Sequence, residues 1–209
     1  MSELPELPAE AFRKADASPD DLFYREPRFV THIDHAAVAA VTALYRSILP
    51  AGGVVLDLMS SWVSHLPPET AYAEVIGHGM NSDELATNPR LDRWFTQDLN
   101  ADHVLPLETA SVDAVAICVS VQYLERPVAV LREVVRVLRP GGANVVTFSN
   151  RCFPTKAVAI WRMLEGEEQC RLVALYLERA GFEGVAARTL RPSGAGDPLW
   201  AITGRAPAR

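Results

Sequence analysis

The sequence has no surplus of positive charge, no apolar run long enough to cross a bilayer, and too few cysteines for a disulfide framework. Each shortfall removes a class of function. Lys and Arg number 20 against 26 Asp and Glu, a net charge of -6. That balance lacks the basic footprint of a nucleic-acid binder, so no nucleic-acid partner is expected. A membrane span needs about 20 consecutive apolar residues, and no stretch supplies them, so no membrane association is expected. The three cysteines, Cys118, Cys152 and Cys170, are odd in number and unpaired in spacing. They read as reduced thiols of a cytoplasmic protein. Cys118 lies in an apolar run and reads as core. The N-terminal MSELPELPAEAF is acidic and Pro-bearing, unlike a secretory leader.

What is present is a core-forming chain organised around Val54–Pro67, VVLDLMSSWVSHLP. Hydrophobic residues make up 49% of the 209. Val54, Val55 and Leu56 form a short β-branched run, suited to a strand buried on both faces. Asp57 ends it, and a polar loop follows. Ligands of doubly wound α/β sheets sit outside such strand ends.

The remaining pattern alternates. Asp34 caps a predicted helix over His35–Leu49. Glu74–Gly79 and Arg93–Leu99 read as strands two and three, with a short helix over Ser82–Asn88 capped by Asn81. Ser111–Ser120 is a strong buried strand. An amphipathic helix, Pro127–Leu138, is stopped by Pro140-Gly141-Gly142, and Asn144–Phe148 is the fifth strand. Helices are predicted over Thr155–Leu164 and Gln169–Ala180. Val185–Leu190 and Leu199–Thr203 read as a closing antiparallel hairpin. This alternation predicts an α/β fold with a mostly parallel sheet. Residues 1–50 read as an N-terminal arm, loosely attached up to Asp21, followed by a helical lid segment. Residues 51–209 form the main domain.

The stretch Leu105–Asn150, LPLETASVDAVAICVSVQYLERPVAVLREVVRVLRPGGANVVTFSN, resembles the Rossmann-like (class I) S-adenosylmethionine-dependent methyltransferases of the small-molecule type. The LP, the SVDAV opening strand four, the YL at its end and the LREVVRVLRPGG before strand five carry the resemblance. It implies a doubly wound seven-stranded sheet, helices on both faces, an antiparallel last strand, and strand order three-two-one-four-five-seven-six. It also implies S-adenosylmethionine as cofactor, a small-molecule acceptor, and a monomer or homodimer.

Two departures from that family stand out. The family follows strand one with D-x-G-x-G-x-G; here the place reads DLMSSWVS, without glycine. Met59, Ser60 and Ser61 are then expected to turn in ordinary backbone regions, with the serine hydroxyls or N–H groups facing the donor's amino-acid end. At strand two, where the family has an acid for the ribose, Gly79 aligns, with Asn81 as the amide that stands in. Asp98 fits the family's acid for the adenine amino group. The implied cofactor wall is therefore Asp57, Met59, Ser60, Ser61, Gly79, Asn81, Asp98, Leu99, Val119, Ser120 and Tyr123.

A base is required only if the acceptor must lose a proton; His32, His35 and Tyr24 are the candidates, and His65 lies in the ligand loop. His32, Asp34 and His35 carry metal-ligand chemistry, but no distant third ligand accompanies them, and helix capping explains the pattern. No metal is expected. The missing glycines and ribose acid motivate an alternative: a non-catalytic relative that binds S-adenosylmethionine or another ligand as a scaffold or sensor.

Overall fold

The structure, a computed structural model, describes residues 3–194 and 196–208; Met1, Ser2, Ala195 and Arg209 lie outside the described residues. The strands are β1 (Val54–Leu58), β2 (Glu74–Gly79), β3 (Arg93–Thr96), β4 (Val112–Cys118), β5 (Leu138–Phe148), β6 (Glu183–Arg191) and β7 (Leu199–Arg205). The helices are α1 (Asp20–Phe23), α2 (His35–Ile48), α3 (Ser82–Thr87), α4 (Pro127–Val137), α5 (Ala159–Met163) and α6 (Glu167–Ala180). One seven-stranded sheet runs β3-β2-β1-β4-β5-β7-β6, as expected. All neighbours are parallel except β7, which is antiparallel to both β5 and β6.

Alternation along each central strand divides the core between the two faces. Leu56, Leu58, Val115, Ile117, Val146 and Phe148 pack with α4 and α6. Val55, Ala114, Ala116 and Val145 pack with α2 through Ala37, Val41, Leu44 and Tyr45. Asp34 caps α2 by accepting the Ala37 N–H at 2.8 Å. Asp113 is structural: its Oδ2 accepts the Val54 N–H at 2.7 Å and fixes the start of β1.

Three local expectations differ from what forms. The Pro140-Gly141-Gly142 break does not separate α4 from β5. It lies inside β5 as a bulge between the Val112 and Ala114 pairings, with Gly141 at φ +74°. The helix expected over Thr155–Leu164 forms only at Ala159–Met163. Val158 is instead drawn into a bridge with Lys14, and the Val158 N–H bonds the Gln122 carbonyl. The N-terminal arm is packed rather than loose. Leu4 and Ala11 are buried, and Lys14 and Lys156, with side chains 3% and 0% exposed, both pair with buried Asp20. Two buried cations on one carboxylate tie the arm to the segment after β5.

Candidate functional site

The parallel strands end at a cavity of about 630 Å³. Its floor is the carboxyl edge of β1, β2 and β4 with the loops that follow them and β3. Its roof is the N-terminal segment 20–34. Every residue of the expected cofactor wall lines it, as do His32, His65 and Tyr24. His35 does not: it is exposed as the first residue of α2, with the helix cap Asp34 between it and the cavity.

The end below β1 is closed by the chain's own hydrogen bonds. Asp57 is 5% exposed, and its Oδ2 accepts Ser60 Oγ–H at 2.5 Å and Ser64 Oγ–H. Burial raises the Asp57 carboxyl above its usual range, against the pull of those two hydroxyls. Ser61 Oγ donates to Glu84 Oε2 at 2.6 Å, while Glu84 Oε1 accepts the Arg28 backbone N–H at 2.7 Å. Asn88 Nδ2 donates to the Ser61 carbonyl and to Ser64 Oγ, both at 2.9 Å. Each serine has one hydroxyl proton, and each proton already has a carboxylate. As folded, the hydroxyls expected to face a ligand donate to carboxylates of the chain itself.

The turn itself also departs from expectation. Met59 sits at φ +59°, in the left-handed region that glycine ordinarily supplies. His78 holds it there. His78 Nδ1 accepts the Met59 N–H at 3.1 Å, and Nε2 faces the Gln97 carbonyl at 3.0 Å. These partners fix the Nε2–H tautomer and link the ends of β1, β2 and β3. The ring is 2% exposed, and burial pushes its pKa down to about 4. Gly79 has a different task from the ribose contact. A Cβ there would lie 2.6 Å from the Ser60 carbonyl oxygen, so its bareness seats the loop rather than a ligand.

The opposite end is open. Asp98 lies two residues past β3; its Oδ1 accepts the Asn100 N–H at 2.9 Å, and its Oδ2 has no partner among the described residues. Leu99 beside it is apolar and 4% exposed. Past β4, Val119 adopts φ +51°, an outlier for a β-branched residue of the kind stored at functional edges. Its N–H bonds the Thr147 carbonyl at 2.8 Å, and its carbonyl accepts Gln122 Nε2–H at 3.0 Å. Next to it, Ser120 Oγ is buried without a hydrogen-bond partner among the described residues. Tyr123 is committed: its hydroxyl accepts the Phe153 N–H at 2.9 Å, and burial pushes its pKa up to about 12.

Besides the Glu84 bond to the Arg28 N–H, three contacts fasten the roof. Asn81 donates both amide hydrogens, to the Tyr24 and Arg25 carbonyls at 3.0 Å, and its Oδ1 caps α3 by accepting the Asp83 and Glu84 N–H groups. It lines the cavity, but its amide is fully used in holding the roof. Trp62 Nε1 donates to the Val30 carbonyl at 3.0 Å. Asp34 and Asp197 exchange backbone N–H bonds with each other's Oδ2, at 2.8 and 2.7 Å. Desolvation lowers the pKa of both His32, in the roof, and His65, in the loop after β1, and the charge of His32 lowers His65 further. Both imidazoles are neutral near pH 7. Burial raises Tyr24 far above the usual phenol range, so it is a proton donor, not a base. No group of His, Cys, Asp or Glu among the described residues could hold a metal ion.

The sequence reading missed His78 and Glu84. The signal for His78 was its place between Gly77 and Gly79 at a strand end, where a bulky polar residue has no small neighbours to justify it except backbone approach. Glu84 follows the cap Asn81 by three residues, a place where an acid in the first helical turn has a structural explanation.

Residues 62–146 match the methyltransferase domain family. The match begins at Trp62, directly past the glycine-free turn. No curated protein matches the sequence significantly. Among solved structures, the 4+2 cyclase SpnF has a TM-score of 0.62 at 18% identity, with 81% of each chain covered. A methyltransferase from Aquifex aeolicus has a TM-score of 0.58 at 16% identity, covering 90% of this chain and 97% of that one. Phosphoethanolamine N-methyltransferase 2 of Haemonchus contortus, solved with S-adenosyl-L-methionine, has a TM-score of 0.59 at 13% identity, over 81% of this chain and 52% of that one. The chain thus carries a match to the methyltransferase domain over residues 62–146 and the class I, Rossmann-like fold of these S-adenosylmethionine-dependent methyltransferase structures. No helix among the described residues is long and apolar enough to cross a membrane.

Proposed function

We propose that this protein is an S-adenosylmethionine-dependent methyltransferase acting on a small molecule. The observation that carries the proposal is the open end of the cavity. A carboxylate oxygen of Asp98 and a buried hydroxyl of Ser120 stand without partners around apolar Leu99, where the resemblance implies the adenosine. Buried polar groups are ordinarily hydrogen-bonded, so the buried, unpartnered Ser120 hydroxyl calls for a ligand, and the half-buried Asp98 lines the same cavity. The residues fit S-adenosylmethionine at this end. At the ribose they fit less well, because Gly79 brings no acid and both Glu84 oxygens are engaged.

The cavity's size supports the acceptor class. About 630 Å³ lies in the usual range for small-ligand pockets, roughly 300–1,000 Å³. When bound, S-adenosylmethionine supplies an activated methyl group on a sulfonium sulfur. The chain's part is to align donor and acceptor and to exclude water. His32 and His65, neutral near pH 7, are the groups able to take a proton from an acceptor hydroxyl or amine.

The scaffold alternative draws on the self-satisfied loop under β1, which forms without any ligand. Calorimetry with S-adenosylmethionine and S-adenosylhomocysteine, paired with transfer of labelled methyl to low-molecular-weight extracts, separates the readings. Binding and transfer are expected. Binding without transfer to any extract supports the scaffold, and no binding of either nucleoside overturns both uses of the cofactor.

A further inference from the structure

Two arginines line the cavity, and they differ in their partners. Arg151 Nε donates to Asp197 Oδ1 at 2.7 Å. Arg28 has no carboxylate within ion-pair distance of its guanidinium among the described residues. Its Nη2 donates to the Phe23 carbonyl at 2.8 Å and its Nη1 to the Glu26 carbonyl at 3.4 Å. Its remaining N–H groups have no partner among the described residues. The cation is held by rings instead: its Cζ lies 4.5 Å from the Phe23 centroid, 5.4 Å from Phe153 and 5.9 Å from Tyr24. The backbone beneath it is pinned by Glu84.

A guanidinium is always charged, and ring stacking engages its faces while leaving its N–H edge open. A half-buried cation with a free edge inside a cavity is built for an anion, and the fork matches a carboxylate. The need for such a receptor is independent of that geometry. Ser60, Ser61 and Ser64 are committed to Asp57 and Glu84, so the hydroxyls under β1 have no proton for a ligand carboxylate.

We infer that Arg28 is the anion receptor of this cavity and takes a carboxylate on its open N–H edge. The inference rests on the cavity being the ligand site proposed above. Two sources share this chemistry: the amino-acid carboxylate of the donor, and a carboxylate on the acceptor.

The test compares wild type, Arg28→Gln and Arg28→Lys by calorimetry. The probes are S-adenosylhomocysteine, 5′-methylthioadenosine, which lacks the amino-acid group, and benzoate. Arg28→Gln is expected to weaken one carboxylate probe by about tenfold or more, with methylthioadenosine unchanged and Arg28→Lys recovering part of the loss. Loss on S-adenosylhomocysteine assigns the donor's carboxylate. Loss on benzoate alone, measured with S-adenosylhomocysteine bound, assigns the acceptor's. If Arg28→Gln binds both carboxylates like wild type, or loses methylthioadenosine equally, Arg28 only shapes the roof and the inference is overturned. If wild type binds no nucleoside, the methyltransferase reading fails, yet benzoate on the free chain still reads the receptor. Absence of benzoate binding there overturns it as well.

Discussion

The two ends of the cavity are built on opposite rules. Under β1, Asp57 takes Ser60 and Ser64, Glu84 takes Ser61 and the Arg28 N–H, and His78 takes the Met59 N–H and the Gln97 carbonyl, so that end is complete as folded. At β3 and β4, Asp98 and Ser120 keep polar atoms without partners. A self-satisfied network contributes to folding and is indifferent to ligand; an unsatisfied one weakens the fold and gains when a ligand arrives. Substitutions in the closed end should therefore move stability and leave affinity alone, and those in the open end should weaken affinity without destabilising the fold.

The largest expected effect tests the closed end through pH. The folded pKa of His78 is depressed to about 4 from an ordinary 6.5. Between those values the unfolded chain binds a proton that the folded chain refuses, so stability falls as pH drops from about 6.5 to about 4. At 1.36 kcal/mol per unit, His78 alone removes about 3 kcal/mol across that window. Asp57 acts in the opposite sense: its raised carboxyl takes up a proton more readily when folded and so favours the fold in acid. Urea denaturation from pH 7 to 4.5 should show His78→Gln with a flatter acid slope than wild type. Parallel slopes would mean that His78 is not a buried neutral staple.

The contrast between the ends also marks how far the sequence was legible. Strand order, the Asp34 and Asn81 caps and the place of the cavity follow from periodicity and family pattern, which local residues carry. The closed end does not, because its logic is tertiary. Nothing in DLMSSWVS says that Met59 turns left-handed; a histidine 19 residues on makes that possible. Nothing near Ser61 announces Glu84, 23 residues away. The packed arm was hidden for the same reason: its anchors, Lys14 and Lys156, are far apart in sequence and show their role only where each meets Asp20.

At the open end, Asp98→Asn keeps the Oδ1 bond to the Asn100 N–H but turns the free oxygen into a donor that opposes an adenine amino group. Nucleoside affinity should fall by about 2 kcal/mol, within the penalty for a mispaired buried polar group, while the melting temperature stays put. Equal affinity would reduce Asp98 to a turn cap. Ser120→Ala should do less and do it on both sides. Removing an orphaned hydroxyl should raise stability slightly and weaken nucleoside binding by about 1 kcal/mol. A loss of stability with unchanged affinity would place Ser120 with the closed end and break the comparison there.

The smallest effect is the most discriminating, since the sequence and the structure disagree about it. From the sequence, Ser60 and Ser61 offer hydroxyls or N–H groups to the donor's amino-acid end, and removing both hydroxyls together would weaken cofactor binding by about 1–3 kcal/mol. In the structure the Ser61 proton belongs to Glu84 Oε2 at 2.6 Å, and a hydroxyl cannot donate twice. Ser61→Ala should therefore leave S-adenosylhomocysteine affinity within about threefold, or 0.6 kcal/mol. The change should appear in the fold, at about 1 kcal/mol for one hydrogen bond to a partly buried carboxylate. Ser61→Gly shares the lost hydrogen bond and adds backbone freedom in the unfolded chain, so it should be less stable than Ser61→Ala at similar affinity. Should glycine instead raise affinity tenfold or more, the loop under β1 would be a decayed ligand cradle rather than a closed structural end, and the division of the cavity into two ends would fail.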